Sequence, residues 1–205
     1  MDSVRAVVEE QLETSLRLGL PALAGLEAGP LVERVGQLVR ALERSGAPPG
    51  GPGRLPALLV LPGLDAEGVL PLTRQGERSG YVDMRPVVPA SFTALAELAV
   101  PPTPYLAVDV DTGRDTLGLA PRAAAARLAE AGRSPLTLEE GVTLLALHPG
   151  ILRERNCFQM LGSRRGDKRI ASLWVTKAGQ PRLGWCYEGV PHTWLGAASC
   201  VGRIG

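Results

Sequence analysis

The stretch Ala47-Pro-Pro-Gly-Gly-Pro-Gly53 is the point around which this chain has to be organised. Proline removes a backbone donor and fixes φ, while glycine loses more backbone entropy on ordering than any other residue, so neither a helix nor a sheet ladder runs through it. On its N-terminal side apolar residues recur at helical spacing. Val4, Val7, Val8, Leu12 and Leu16 make one stripe between Ser3 and Leu18, and Gly19 and Pro21 stop it. Leu31, Val35, Leu38, Val39 and Leu42 make a second, with Pro30 suited to a first helical position and Ser45-Gly46 as its end. The pattern predicts a helical hairpin over residues 1–46, a linker over 47–55 and a core domain over 56–205.

Beyond the break the periodicity is mixed. Ala57 to Leu61 and Val69 to Leu72 are short apolar runs that read as buried strands, and Tyr105 to Val110 alternates, with Leu106, Val108 and Val110 on one face. Ser91 is placed to cap a helix through Leu98, ahead of Pro101-Pro102. Pro121 to Ala131 is an alanine-rich helix closed by Gly132, and Thr137-Leu-Glu-Glu140 is a capping box for a helix ending near His148-Pro149-Gly150. Ile170 to Thr176 and Arg182 to Tyr187 are β-prone runs joined by Lys177-Ala-Gly-Gln-Pro181, a hairpin. The expected fold is therefore α+β: an N-terminal helical hairpin, a mixed α/β core and a C-terminal β-hairpin with a basic loop. A hydrophobic content of 45% over 205 residues is enough to bury one substantial core.

Charge and chemistry are unevenly distributed. Between His148 and Gly205 lie nine Lys and Arg against three acids, whereas residues 1–147 carry thirteen against eighteen, so the formal net charge of +1 conceals a polarised chain. All three cysteines, all three tryptophans and both histidines fall in that last quarter. Twenty arginines against Lys168 and Lys177, with abundant Ala, Gly and Pro, match the coding bias of a GC-rich genome. No apolar run approaches the roughly 20 residues needed to span a bilayer, the start lacks a signal peptide's pattern, and an odd number of irregularly spaced cysteines argues for reduced thiols. A cytoplasmic protein without membrane contact is expected.

Three constellations are candidates for function. In Leu161-Gly-Ser-Arg-Arg-Gly-Asp-Lys-Arg169, glycines let backbone N–H groups line a concavity, and Arg164, Arg165, Lys168 and Arg169 supply donors for an anion while Asp167 orients an arginine. The same run is equally compatible with a solvated turn, and it lacks the Gly-Lys-Ser/Thr of a phosphate loop opening a helix. Second, Cys186 and His192 are a nucleophile and base pair in kind, with Trp185 and Trp194 as pocket walls; a buried structural thiol and core tryptophans are the alternative. On a strand, Trp185 and Tyr187 face away from Cys186. Third, Asp109 and Asp111 share a strand face, where either can accept a proton or hold an amine. Their Asp109-Val-Asp-Thr-Gly-Arg-Asp115 run misses the calcium-loop and haloacid-dehalogenase patterns by one residue each. Cys157, Cys186, His192 and Cys200 have no paired-ligand spacing, so no metal is expected, and no cofactor motif is present. With a pI near 7.8 and no binding motif, nucleic acid is not an expected partner.

The run Asn156-Cys-Phe-Gln-Met-Leu-Gly-Ser-Arg-Arg-Gly-Asp-Lys-Arg169, continuing through Ala171-Ser-Leu-Trp174, Leu183-Gly-Trp-Cys186 and His192-Thr-Trp-Leu-Gly196, resembles an uncharacterised domain family of GC-rich, actinobacteria-like bacteria. Asp109 to Asp115 and Ser134-Pro-Leu-Thr137 extend the resemblance over roughly the second half of the chain. It implies no catalytic assignment and points to the same residues. The functional expectation is a small-molecule-binding protein or enzyme acting on an anionic metabolite through the Arg-rich loop. Two alternatives stand beside it. One is a subunit of a specialised-metabolite enzyme, such as a sulfate-expelling, aziridine-forming complex in which the loop receives sulfate and Asp109 holds the amine. The other is a non-catalytic module whose basic face docks an acidic partner. A concave pocket holding cations and a titratable group separates the first reading from a flat basic face. The N-terminal helices are also candidates for homo- or hetero-oligomerisation, because their stripes need a surface to bury against.

Overall fold

The structure, a computed structural model, describes residues 3–46 and 53–205; most of the expected linker lies outside the described residues, and the first strand begins at Arg54. The first helix spans Val4–Arg17, capped by Ser3, whose hydroxyl accepts from the amide of Ala6 at 3.2 Å. A single turn, Leu20–Leu23, follows Gly19, and the long helix spans Ala28–Ser45, so Pro30 sits two residues inside it. Arg5, near the start of one helix, bonds Glu43, near the end of the other, which makes the pair antiparallel. Leu31, Val35, Leu38, Val39 and Leu42 are all buried, in one hydrophobic cluster with the strands that follow. The stripe thus finds its surface within the same chain.

The first sheet is built on Tyr105–Asp111. Arg54–Val60 pairs antiparallel along one side, and Ser199–Cys200 and Gly202–Ile204 along the other, with Ser134–Pro135 outside Ser199–Cys200. Tyr105 to Val110 are buried on both faces, which is why the strand reads as an almost continuous apolar run. The open edge of Arg54–Val60 is closed by one amide: Gln11 donates to Ala57 O at 2.9 Å and accepts from Leu59 N at 2.6 Å.

The second sheet runs in spatial order Leu195–Ala197, Cys157–Gln159, Arg169–Val175, Pro181–Tyr187 and Tyr81–Val82, the outermost strands parallel to their neighbours and the inner pairs antiparallel. Only Ala198 separates its strand Leu195–Ala197 from Ser199–Cys200 of the first sheet. The crossing is close: a Cβ on Gly113 would overlap the Ala197 backbone, and one on Gly196 the Gly113 carbonyl. Helix Pro121–Glu130 lies beside this junction, and helix Leu138–Leu147 is buried over nearly its whole circumference. The capping box forms as expected, with Thr137 accepting from Glu140 N and Glu140 from Thr137 N. Glu140 (0% exposed) also accepts from Tyr105 OH at 2.8 Å and from Arg203 (5% exposed) at 2.6 Å, which ties the helix to the last strand.

Two expected elements take another form. Val69 ends a one-turn helix, Ala66–Val69, and Leu70–Leu72 is a 3-10 turn, because Asp65 caps the turn at Gly68 N and Pro71 has no donor for a ladder. Ser91 bonds back to Val88 O rather than capping a helix; Thr93–Ala94 pairs with Ser163–Arg164, and Ala96–Leu98 is a 3-10 turn. Among the described residues no helix is long and apolar enough to cross a membrane.

Candidate functional site

The C-terminal hairpin sets the site by register. Ile170, Ser172 and Trp174 lie opposite Cys186, Gly184 and Arg182 on one face of the second sheet. Gly184 makes the room that Trp174 needs, since a Cβ there would overlap the indole ring. The Arg182 guanidinium stands 4.9 Å above the Trp174 ring and is held by Asp83 at 2.8 Å. Trp194 meets Trp174 edge-on, with centroids 6.0 Å apart and planes at 69°, and the His192 ring lies 5.3 Å from Trp194. A tight turn faces this array, closed by the Asn156 amide on Arg153 O at 2.9 Å, with Arg155 at φ 62°, a value L-residues rarely take.

Between the turn and the tryptophans is a cleft of about 770 Å³. Trp174 and Trp194 form its apolar wall, Arg155, Lys177 and Arg182 bring three positive charges, and among the described residues Glu154 is the only acid on its lining. Cys157 borders it, but the thiol is buried and bonds Arg153 O at 3.3 Å, and burial pushes it above the usual cysteine range.

The Arg-rich loop is knit together by Asp167, although the Nε atoms of Arg165 and Arg169 are buried without a hydrogen-bond partner. Asp167 accepts from Arg165 at 2.8 Å and from Arg169 at 2.7 Å, and its other oxygen accepts the Arg169 amide at 2.9 Å. The Arg169 amide bond leads the causes that hold the Asp167 carboxyl below its ordinary range. Arg164 turns inward to the carbonyls of Leu161 and Ser163, and burial lowers its guanidinium pKa. Arg169 also stacks at 4.6 Å on Trp185, whose indole N–H donates to Met84 O at 3.0 Å. Of the loop's cations, Lys168 alone is fully exposed.

The remaining candidates do not converge. Trp185 and Trp194 lie on opposite faces of the second sheet, so they are not walls of one pocket. Cys186 is buried and bonds Ser172 Oγ at 3.3 Å and Gln159 Oε1 at 3.4 Å, with no bond to His192. Burial raises its pKa, against the thiolate a nucleophile requires. Cys200 is pushed up to about 11 by burial, and all three thiols are free. Asp109 sits at φ 53° in an otherwise extended strand, bonded by Arg54 at 3.0 Å and by Arg133 at 2.8 Å. Burial opposes its charge, but the bonds from Arg133 and Arg54 outweigh it and leave the carboxyl below the ordinary range. Asp111 approaches the same Arg54 guanidinium at 3.8 Å and accepts the Gly113 amide at 2.6 Å. These carboxylates belong to an ion-pair cluster, not to an open base. Among the described residues no three His, Cys, Asp or Glu side chains come together as a metal ion requires.

Trp174, Lys177 and Arg182 were legible in part: the hairpin's alternation already places Trp174 and Arg182 on a common face. Arg155 carried no local signal, because its place in the cleft depends on a turn formed far along the chain from the hairpin.

The fold and cleft define an α+β protein of two joined sheets with a cationic, tryptophan-walled recess. Residues 14–205 match the model of a family of unknown function, DUF5701, and the chain belongs to that family. No curated protein and no solved structure matches the chain.

Proposed function

We propose that the protein binds a small anionic molecule carrying a planar or apolar ring, in the cleft between the Arg153–Asn156 turn and the Trp174 face of the second sheet. The observation that carries this reading is a concave, two-tryptophan wall beside three cations and one acid. An apolar concavity with a few convergent charges suits a small ligand, whereas a flat basic surface suits a protein partner. The anion is assigned to Arg155 and Lys177, neither of them in an ion pair among the described residues, with Arg182, itself paired with Asp83 at 2.8 Å, beside them; unlike the Arg164–Arg169 loop, these cations line the concavity that the tryptophans wall. A sulfate-expelling, amine-activating role has less support, because Asp109 meets two guanidiniums. We also assign the protein to the reducing cytoplasm, on its three free, buried thiols, and to a GC-rich bacterial source, on its excess of arginine over lysine.

The test is calorimetric titration with naphthalene-2-carboxylate and its neutral counterpart naphthalene-2-methanol. The carboxylate binds more tightly than the alcohol, and the double variant Lys177→Met, Arg182→Met weakens it by about ten-fold or more, in line with the loss of one or two charge-assisted contacts. The double variant Arg164→Ala, Arg165→Ala leaves its affinity unchanged. Equal affinity for acid and alcohol, or loss only in the loop variant, overturns the assignment.

A further inference from the structure

The Arg153–Asn156 turn has a second side. Behind it lies a recess of about 480 Å³ that shares Glu154 and Arg155 with the tryptophan cleft and adds Arg114, Arg153 and Asn156. Its character differs from that of the cleft, with guanidiniums in place of indoles. Among the described residues no carboxylate lies within ion-pair distance of Arg114, Arg153 or Arg155. Gly53 lines the recess, and the sequence from 47 to 52 holds only Ala, Pro and Gly. Some arginines are neutralised within the chain, Arg165 and Arg169 by Asp167, Arg54 and Arg133 by Asp109, Arg203 by Glu140. What sets Arg114, Arg153 and Arg155 apart is their convergence: all three line one concavity, with Glu154 as an acid beside them and Arg153 Nε donating to Gly150 O at 3.2 Å. Guanidinium forks match the oxygens of a tetrahedral dianion in paired hydrogen bonds.

A second feature concerns Asn156. Its Nδ2 faces Thr112 Oγ1 at 3.5 Å, while its Oδ1 is buried without a hydrogen-bond partner. A buried acceptor left unpaired costs stability, so an acceptor of this kind at the rim of a recess suits a ligand hydroxyl.

Resting on the cleft reading above, we infer that cleft and recess are two halves of one site straddling the Arg153–Asn156 turn, and that its ligand is an aromatic phosphate ester of nucleotide type. The ring sits against Trp174 and Trp194, the anionic part of the ligand extends from Lys177 and Arg182 in the cleft past Arg155 to Arg114 and Arg153 in the recess, and a hydroxyl between them donates to Asn156 Oδ1. Arg155, at φ 62° and lining both halves, is the residue through which they communicate.

The experiment titrates the full chain with four probes, inorganic pyrophosphate, naphthalene-2-carboxylate, ADP and a single-stranded oligonucleotide, each against wild type and the double variant Arg114→Ala, Arg153→Ala. Pyrophosphate binds wild type and is weakened at least ten-fold in the variant, naphthalene-2-carboxylate binds both equally, and ADP binds wild type more tightly than either fragment. Circular dichroism and the thermal midpoint establish that the variant is folded; if it is not, Arg114→Gln alone gives the same readout. Pyrophosphate affinity that is absent, or unchanged by the variant, overturns the recess. Pyrophosphate binding with no naphthalene-2-carboxylate binding removes the cleft half and with it the two-part ligand, while leaving the recess as an anion site. ADP no tighter than pyrophosphate also overturns the two-part ligand. Tighter binding of a single-stranded oligonucleotide than of ADP replaces a small molecule with nucleic acid.

Discussion

At His148 the chain holds an imidazole in its neutral form by burial. The His148 backbone N–H closes the helix Leu138–Leu147 on Leu144 O, the ring Nε2 is buried without a hydrogen-bond partner, and desolvation pulls its pKa below the ordinary value while Glu10 pulls the other way. The unfolded chain therefore takes up a proton first as pH falls. The contribution of His148 is present above about 6.5 and is lost as pH drops through the lower folded value. His192, depressed by burial as well, acts in the same direction. We expect the urea midpoint to fall between pH 7 and pH 5, and the fall to be shallower in His148→Gln than in wild type. Parallel curves for the two proteins would place the proton uptake elsewhere. The same physics acts at Cys186 and Asp109. A thiol or carboxylate is reactive only where its charged form is poised and accessible. Burial suppresses it at Cys186, and two arginines engage it at Asp109.

Elements whose cause is local were readable from sequence. Ser3 and Thr137 cap the helices they precede, and the 3.6-residue stripe of the long helix is buried at all five of its positions. The β-prone runs Ile170 to Thr176 and Arg182 to Tyr187 form the expected hairpin, as strands Arg169–Val175 and Pro181–Tyr187. Elements set by distant partners were not: Thr93–Ala94 is a strand only because Ser163–Arg164 lies beside it. The hairpin also carries a test of how tightly the cleft wall is built. Gly184 sits beneath the Trp174 indole, so Gly184→Ala forces the ring to move. Overpacking of this kind costs roughly 1–3 kcal/mol. We expect chemical denaturation to show a loss of that size, together with a red shift of tryptophan emission as Trp174 becomes more exposed. A variant of unchanged stability and emission would mean that the sheet yields at 184 without disturbing the wall.

At the scale of the molecule, the concentration of tryptophan and positive charge in the last quarter is resolved into two opposite faces of one sheet. On one face Arg169 stacks on Trp185 and pairs with Asp167; on the other Trp174, Trp194 and Arg182 border an open cleft. The sequence located the region, but the division depends on the Arg153–Asn156 turn closing over one face, which no periodicity announces. This division gives the central claim an internal control, because the three indoles report separately. The measurement is a nitrogen-15 and proton correlation spectrum of the three indole N–H groups during titration with naphthalene-2-carboxylate. The account predicts that the Trp174 and Trp194 signals move with a common affinity, while Trp185, bonded to Met84 O on the far face, stays in place. Movement of Trp185 alone, or of none of the three at saturating probe, contradicts it.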